Sequence, residues 1–170
     1  MIYWEPVSFA NDRKERTMAT ETGAPMHALD FMLGEWELDY TVTQHGCTTK
    51  PIRGTGSLRH LFDATYLTFD YQMQQKATGE MIGQAHAVFA WDAKAEQYRF
   101  YWFESSGTFL QATGVLQGDD TLALEWQGVN CTQIFRRVSA DAIYLEMHCP
   151  DQDLLLRVDF SRRAGVPQAH

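Results

Sequence analysis

The chain has 170 residues and a mass of 19.5 kDa, which suits one domain with a substantial hydrophobic core. Hydrophobic residues make up 45% of it and aromatic residues 13%, a composition that excludes a disordered chain and favours a β-rich core or an aromatic-lined cavity. The net charge of −8, without a basic stripe, argues against nucleic acid as a partner, and no apolar run is long enough to span a membrane.

The first residues show no regular pattern. Residues 1–25 have neither the layout of a signal peptide nor a helical or strand period, so we predict a flexible arm. Met18 is a second candidate start, because the charged run just before it can be encoded by a purine-rich ribosome-binding sequence. Under this hypothesis residues 1–17 are not native, and the intact mass of protein expressed from its native locus is the test.

A single domain is predicted over 26–163, followed by a loose tail over 164–170. Its first stretch, MHALDFMLG, has apolar residues at helical spacing and ends at Gly34, which predicts one or two helical turns. The rest has the alternation typical of strands, interrupted by Gly, Asp and Asn. The predicted strands cover 35–45, 54–62, 65–75, 81–92, 97–105, 108–117, 121–128, 130–138, 142–149 and 153–162.

The connections between these strands have the lengths of hairpin loops, which predicts antiparallel pairing of neighbours. No helical pattern lies between them, and βαβ units are therefore excluded. About ten such strands must protect two edges, and closure does this most simply. The predicted fold is all-β, a single antiparallel up-and-down β-barrel of about ten strands with a short N-terminal helix plugging one end. A two-sheet sandwich is the alternative.

Three cysteines, Cys47, Cys131 and Cys149, lie far apart in the sequence. Their number is odd, and they show neither a Cys-x-x-Cys pair nor the Cys/His spacing of a zinc site. We therefore expect reduced thiols in a cytoplasmic protein.

The start of the first strand resembles that of the calycins, the superfamily of lipocalins and fatty-acid-binding proteins. Gly34-x-Trp36 follows the short helix and leads into the strand. The resemblance implies that Trp36 lies at the closed end of the barrel, under a basic side chain from a late strand. Arg162 is the first candidate for that side chain, with Arg136 or Arg157 behind it.

Three segments together resemble the bacterial lipocalin-like family DUF1579. They are LDFMLGEWELDYTV, AVFAWDAKAEQYRFYWFESSG and the terminal DFSRR, and the resemblance spans roughly 27–163. Trp91-Asp92 stands where the family has a Tyr-Asp hairpin, and Glu104 matches an acidic strand end. That family has no settled biochemical function. The nitrobindin branch of the calycins binds haem through a late-strand histidine, for which His148 is the candidate here.

Strand alternation selects the side chains predicted to face the interior. Aromatic residues dominate the inward positions of the first, third and fifth strands, and one histidine joins them from the second. The predicted ligand-binding residues are Trp36, Tyr40, His60, Phe69, Tyr71, Phe100 and Trp102.

Two ionisable residues are candidates for catalysis. Glu104 ends an aromatic wall, where burial would raise its pKa and suit it to acid–base catalysis. The alternative, which the rarity of buried unpaired charges favours, is that its carboxylate reaches solvent at the barrel mouth or pairs with an arginine. The fourth strand is apolar on both faces, so its orientation depends on the turn after Asp92. A four-residue turn directs His86 outward, whereas a slip by one residue brings it beside Glu104 as an acid–base pair. Familiar catalytic motifs are missing.

The leading interpretation is a lipocalin-like barrel that binds a small apolar or aromatic molecule in its interior. The alternatives are a cyclase- or isomerase-type cavity enzyme, a haem protein of nitrobindin type, and a filled barrel that acts through its surface. No cofactor or metal is expected except under the haem interpretation. The expected partner is a small hydrophobic molecule, with neither nucleic acid nor membrane, and an isologous homodimer through an exposed sheet face is a further expectation.

Overall fold

The described part of the chain begins with a short plug over one end of the barrel. The computed structural model describes residues 24–164, so the candidate start at Met18, nearly all of the predicted arm and most of the predicted tail lie outside it. Helix α1 covers Ala24–His27, and a 3₁₀ turn covers Asp30–Met32. None of the helices in this range is long and apolar enough to cross a bilayer.

The plug is held by apolar burial. Met26, Leu29 and Met32 are completely buried, and the Tyr98 hydroxyl donates a hydrogen bond of 2.6 Å to the Pro25 carbonyl. The removal of these three apolar side chains from water supplies the main force that holds the short plug on the barrel.

Ten antiparallel strands follow and close into a barrel, as predicted. Each strand pairs with its neighbours in the sequence, and the last pairs with the first, so that no sheet edge is left open. The strands are β1 (Gly34–Gln44), β2 (Cys47–Leu61), β3 (Tyr66–Gln75), β4 (Met81–Asp92), β5 (Gln97–Glu104), β6 (Phe109–Gln117), β7 (Thr121–Trp126), β8 (Thr132–Ser139), β9 (Ala142–Cys149) and β10 (Leu154–Arg162).

Side-chain alternation in β1 shows why the barrel forms. Trp36, Leu38 and Tyr40 are buried, whereas Glu37 and Asp39 are exposed between them. The strand therefore has one apolar face that is removed from water and one charged face that keeps the exterior hydrated.

Strand β2 is longer than predicted. It begins at Cys47 rather than at residue 54, and its first residues pair with the end of β1 beyond a register shift between Tyr40 and Val42. Residues 47–50 are all exposed, so this part of the hairpin has no buried face and lacks the alternation that reveals a strand.

The up-and-down order places alternate hairpins at opposite ends of the barrel. The plug and the turns 62–65, 93–96, 118–120 and 140–141 lie at one end, which we call the closed end. The connections 45–46, 76–80, 105–108, 127–131 and 150–153 lie at the other end, which we call the mouth.

The expectation of three reduced cysteines was wrong. Cys131, in the loop before β8, forms a disulfide with Cys149 at the end of β9, and Cys47 is free and exposed. The 18-residue separation carries no local signal for pairing, and only the β8–β9 hairpin brings the two sulfurs together. The disulfide fastens the loop at the mouth.

Candidate ligand site at the barrel mouth

The closed half of the interior is filled by interlocking rings. Four phenylalanine rings there are at most 2% exposed, and the centroids of contacting pairs lie 4.5–6.4 Å apart. They belong to Phe89, Phe100, Phe135 and Phe160. Trp36, Phe69 and Phe100, three of the predicted ligand-binding residues, lie in this packed region and are at most 3% exposed. Their role here is to fill the core, because rings packed at this density leave no room for a ligand among them.

The interior side chains nearer the mouth keep contact with solvent. Several large apolar residues on the inward face of their strands are only partly buried, although they pack against the core. They are Ile52, Met73, Trp102, Trp126, Met147 and Leu156, which we call the mouth residues. Large apolar side chains gathered at one end of a barrel interior are of the type that lines small-molecule sites.

An aromatic wall runs along one side of this opening. The rings of Tyr71 and Trp102 lie 4.9 Å apart, and Trp102 and Trp126 meet edge to face at 6.4 Å. The Trp126 indole donates a hydrogen bond of 3.2 Å to the side-chain carbonyl of Gln133, which is 5% exposed. That bond satisfies the amide oxygen and holds the Trp126 indole in its orientation.

Polar groups accompany the aromatic wall. Tyr40 and Tyr71 are each 7% exposed, and neither hydroxyl forms a hydrogen bond to another residue within 24–164. Burial raises the pKa of both phenols, and the nearby Tyr40 and Glu104 raise that of Tyr71 further. Both tyrosines are therefore protonated donors at neutral pH.

Glu104 ends β5 at the rim of this site. It faces inward opposite Ala85 and accepts a hydrogen bond of 2.9 Å from the Ser106 hydroxyl, across the hairpin turn. Its side chain is half-buried, so the carboxylate contacts both solvent and the Ser106 hydroxyl. The arrangement brings Glu104, Tyr40 and Tyr71 together around the mouth.

The predicted pair of His86 and Glu104 is not formed. The turn between β4 and β5 has four residues, which places Ala85, Ala87 and Phe89 inside and His86 outside. His86 donates from Nδ1 to the Asp70 carboxylate at 2.6 Å, at an outer groove of about 460 Å³. The barrel wall thus separates the two residues.

His60 lies at the closed end, away from the mouth. Its Nε2 donates to Asp30 of the 3₁₀ turn at 2.7 Å, so the plug covers a histidine that the alternation alone placed in the ligand site. Alternation assigns a side chain to a face but not to a depth along the barrel.

His148 does not fit the haem interpretation. Its side chain is exposed on the outer face of β9, where the strand pairs with Leu155 and Thr132. An axial ligand for a haem inside the barrel must point inward, and His148 points the other way.

The basic side chain over Trp36 is that of Arg162. Its guanidinium covers the indole ring, while Arg157 bonds to Glu146 on the outer face and Arg136 is exposed.

Of the predicted ligand-binding residues, Tyr40, Tyr71 and Trp102 line the mouth. Sequence reasoning missed Trp126, Gln133, Met147 and Leu156, although the same alternation, applied to β7 and the last three strands, would have found them. Met73 shares the predicted inward face of the third strand but was not named as a ligand-binding residue, and Ile52 lies before the predicted start of the second strand.

Comparison with solved structures gives the same fold at low sequence identity. The crystal structure of Rv2717c from M. tuberculosis matches with a TM-score of 0.62 and 15% identity, covering 82% of this chain and 97% of that one. The S-type phycobiliprotein lyase CPES from Guillardia theta matches with a TM-score of 0.58 and 9% identity, covering 82% and 93%.

A search among curated proteins found no match. The family model described as "Protein of unknown function (DUF1579)" matches residues 21–152, which include the plug, the Gly34-x-Trp36 start, the Trp91-Asp92 hairpin and nine of the ten strands. This match covers most of the barrel, and the chain belongs to the DUF1579 family.

Proposed function

We propose that this barrel binds a small apolar or aromatic molecule at its mouth. One observation carries the proposal: the interior changes from fully buried rings at the closed end to partly exposed apolar side chains at the mouth. Residual apolar exposure is unfavourable in water, and a ligand that covers the mouth residues would relieve it.

The polar groups at the mouth narrow the class of ligand. Tyr40 and Tyr71 offer two hydroxyl donors that bond to no other residue in the described range, and Glu104 adds negative charge at the rim. An aromatic molecule with one acceptor oxygen suits this arrangement, because its ring stacks on Trp102 while the oxygen meets a phenol. An anionic group would be repelled by Glu104 and by the net charge of −8.

Titration with a neutral fluorescent probe tests the proposal. N-phenyl-1-naphthylamine is apolar, aromatic and uncharged, and we expect saturable binding with a micromolar Kd. Ala85 faces inward between Tyr71 and Glu104 and is 8% exposed, so the larger side chain of Ala85→Phe fills the site. We expect this variant to bind at least about tenfold more weakly, equivalent to about 1.4 kcal/mol.

The matched control is Ala90→Phe, which places the same ring on the outer face of the same strand, opposite Arg99. Its affinity should stay within about twofold of the original. Equal loss in both variants, or no saturable binding by the original protein, would refute a site at the mouth. Unfolding curves for both variants establish that each is folded.

Native mass spectrometry of the freshly purified protein, with an absorption spectrum, identifies what the barrel carries. An apolar adduct that is lost in Ala85→Phe supports the proposal and gives its chemical class. A haem mass with a Soret band would replace it. The native mass spectrum also gives the mass of the assembly and so tests the predicted homodimer.

A second candidate function is acid–base catalysis on the bound molecule. Glu104 favours it, because this carboxylate lies near the protonated phenol of Tyr71 in a site lined mainly by apolar side chains. The test incubates the recovered adduct with protein in D₂O and measures deuterium uptake at carbon. Uptake with the original protein but not with Glu104→Gln indicates catalysis, and no uptake with either indicates a binding protein.

A further inference from the structure

Three potential metal ligands meet at the closed end, far from the mouth. His27 ends helix α1, Asp30 begins the 3₁₀ turn, and His60 lies near the end of β2. Each offers one ligand atom, and these atoms all lie within 4.8 Å of one another. Across residues 24–164 no other group of three His, Cys, Asp or Glu side chains meets this criterion.

The spacing of the potential ligand atoms is near that around one small cation. His60 Nε2 lies 2.7 Å from one Asp30 oxygen, and His27 Nδ1 lies 3.2 Å from the other. The two imidazole rings meet edge to face, with centroids 5.1 Å apart. Ligand atoms around a tetrahedral Zn²⁺ are roughly 3.4 Å apart, given bonds of about 2.1 Å, so small side-chain rotations suffice to admit the ion.

The donor set selects the type of cation. Two imidazole nitrogens and one carboxylate oxygen suit Zn²⁺ and its late transition-metal neighbours, whereas Ca²⁺ and Mg²⁺ prefer oxygen alone. The side chains of His27 and Asp30 are 57% and 47% exposed, so an ion can enter from solvent and keep water as its fourth ligand. His60 is only 22% exposed and forms the fixed side of the site.

A hydrogen-bonded cluster without metal is the competing explanation, and one atom of the site stays unsatisfied with or without the ion. His60 Nδ1 is buried and has no hydrogen-bond partner. Buried polar atoms of this kind are rare. The same atom limits affinity, because a metal-bound imidazole normally donates its second N–H to an acceptor that strengthens the bond. The site should therefore bind in the micromolar range and not more tightly.

We propose that His27, Asp30 and His60 form a Zn²⁺ site that fastens the plug to strand β2. Two of the ligands come from the plug and one from β2, so the ion links two elements that are otherwise joined by apolar packing and the hydrogen bond between Asp30 and His60. Binding requires this folded arrangement, and Zn²⁺ therefore stabilises the barrel against unfolding.

The experiment titrates ZnCl₂ into the full chain, purified without a histidine tag, by calorimetry and by thermal unfolding. We expect one site per chain and a rise in Tm of about 5–10 °C when Zn²⁺ is present at roughly 100 times its Kd. His27→Ala and Asp30→Asn should each weaken binding at least about tenfold. Because both side chains are exposed, these variants should remain folded.

The matched control is His86→Ala. It removes the histidine of a surface His–Asp pair with an equally short contact, 2.6 Å, but without a third ligand. This variant should bind Zn²⁺ as the original protein does. The proposal fails if no binding is seen, if His27→Ala and Asp30→Asn bind normally, or if His86→Ala loses the site.

Discussion

The guanidinium of Arg162 lies over the indole ring of Trp36, with its central carbon 4.3 Å from the ring centroid. The two residues are direct partners across the β1–β10 pair that closes the barrel. Arg162 also donates from Nη1 to the Leu33 carbonyl at 3.0 Å, and the Trp36 indole donates to the Met32 carbonyl at 2.9 Å. The pair thus connects the last strand, the first strand and the end of the plug.

Gly34 makes this arrangement possible. Its φ of +127° is unfavourable for other residues, and a Cβ atom there would lie 2.3 Å from Arg162 Nη1. The Gly-x-Trp pattern therefore has a physical cause: the glycine leaves the space through which the arginine reaches the tryptophan.

Loss of this contact should destabilise the barrel. We expect Arg162→Ala to lower the free energy of unfolding by about 1–3 kcal/mol, because it removes the cation–π contact and the bond to the Leu33 carbonyl. Gly34→Ala should have a similar effect, since it displaces the same guanidinium. Urea unfolding followed by tryptophan fluorescence measures both. Arg163→Ala, the exposed neighbour, should differ by less than about 0.5 kcal/mol, and an equal loss there would contradict the assignment.

The disulfide between Cys131 and Cys149 should leave one reactive thiol. Titration of the purified protein in denaturant with a thiol reagent should give one equivalent, from Cys47, and three after reduction. Cys47→Ser should give none before reduction. Reduction should lower the free energy of unfolding by about 3 kcal/mol, as expected for a loop of this length. Three thiols before reduction would restore the expectation that the cysteines are reduced.

Asp92 should contribute stability that depends on pH. Hydrogen bonds from Arg99, and then from the backbone N–H of Ala95, hold the pKa of Asp92 below its usual value. Because the folded pKa is lower than the unfolded one, the contribution is present above about pH 4 and disappears as the pH falls through the folded pKa. The stability difference between the original protein and Asp92→Asn, measured by urea unfolding, should shrink between pH 7 and pH 3. A constant difference would show that Asp92 acts only through its turn geometry.

The buried tyrosines should resist ionisation. Burial raises the pKa of Tyr40 and Tyr71 above the ordinary value near 10, so their neutral forms persist while the barrel is folded. Stability should fall as the pH rises past about 10, because only the unfolded chain ionises these phenols there. Absorbance near 295 nm should reveal a group of tyrosines that ionises together with unfolding. Tyr71→Phe should reduce the number of tyrosines that ionise with unfolding by one. If the variant instead loses a tyrosine that ionises before unfolding, Tyr71 is not buried.

Several features of the fold were predictable because they depend on local periodicity. Alternation in β1 places Trp36 and Tyr40 inside, and short turns with glycine or aspartate dictate antiparallel neighbours. The first residues of β2 escaped prediction for the same reason, since a strand exposed on both faces has no alternation to detect.

The orientation of His86 could be predicted only in part from the sequence. Both parities of β4 are apolar, so the sequence left two orientations open, and the four-residue turn that ends with Glu96 at a φ of +51° selects one of them. One residue more or fewer in that turn would exchange the two faces of the strand.

The sequence by itself determined the number and order of the strands, their antiparallel pairing with sequence neighbours, and the inward side chains wherever the alternation is clean, because these follow from a two-residue period and from turn length. Only the tertiary structure decided closure into a barrel rather than a sandwich, the depth of each side chain along the barrel, and the contacts between distant residues. The position along β5 places Phe100 in the packed half and Trp102 at the mouth, the β8–β9 hairpin joins Cys131 to Cys149, and the plug brings Asp30 to His60 across 30 residues of chain. The physical reason is that alternation fixes the direction of a side chain, whereas its neighbours depend on how strands far apart in the sequence meet when the sheet closes.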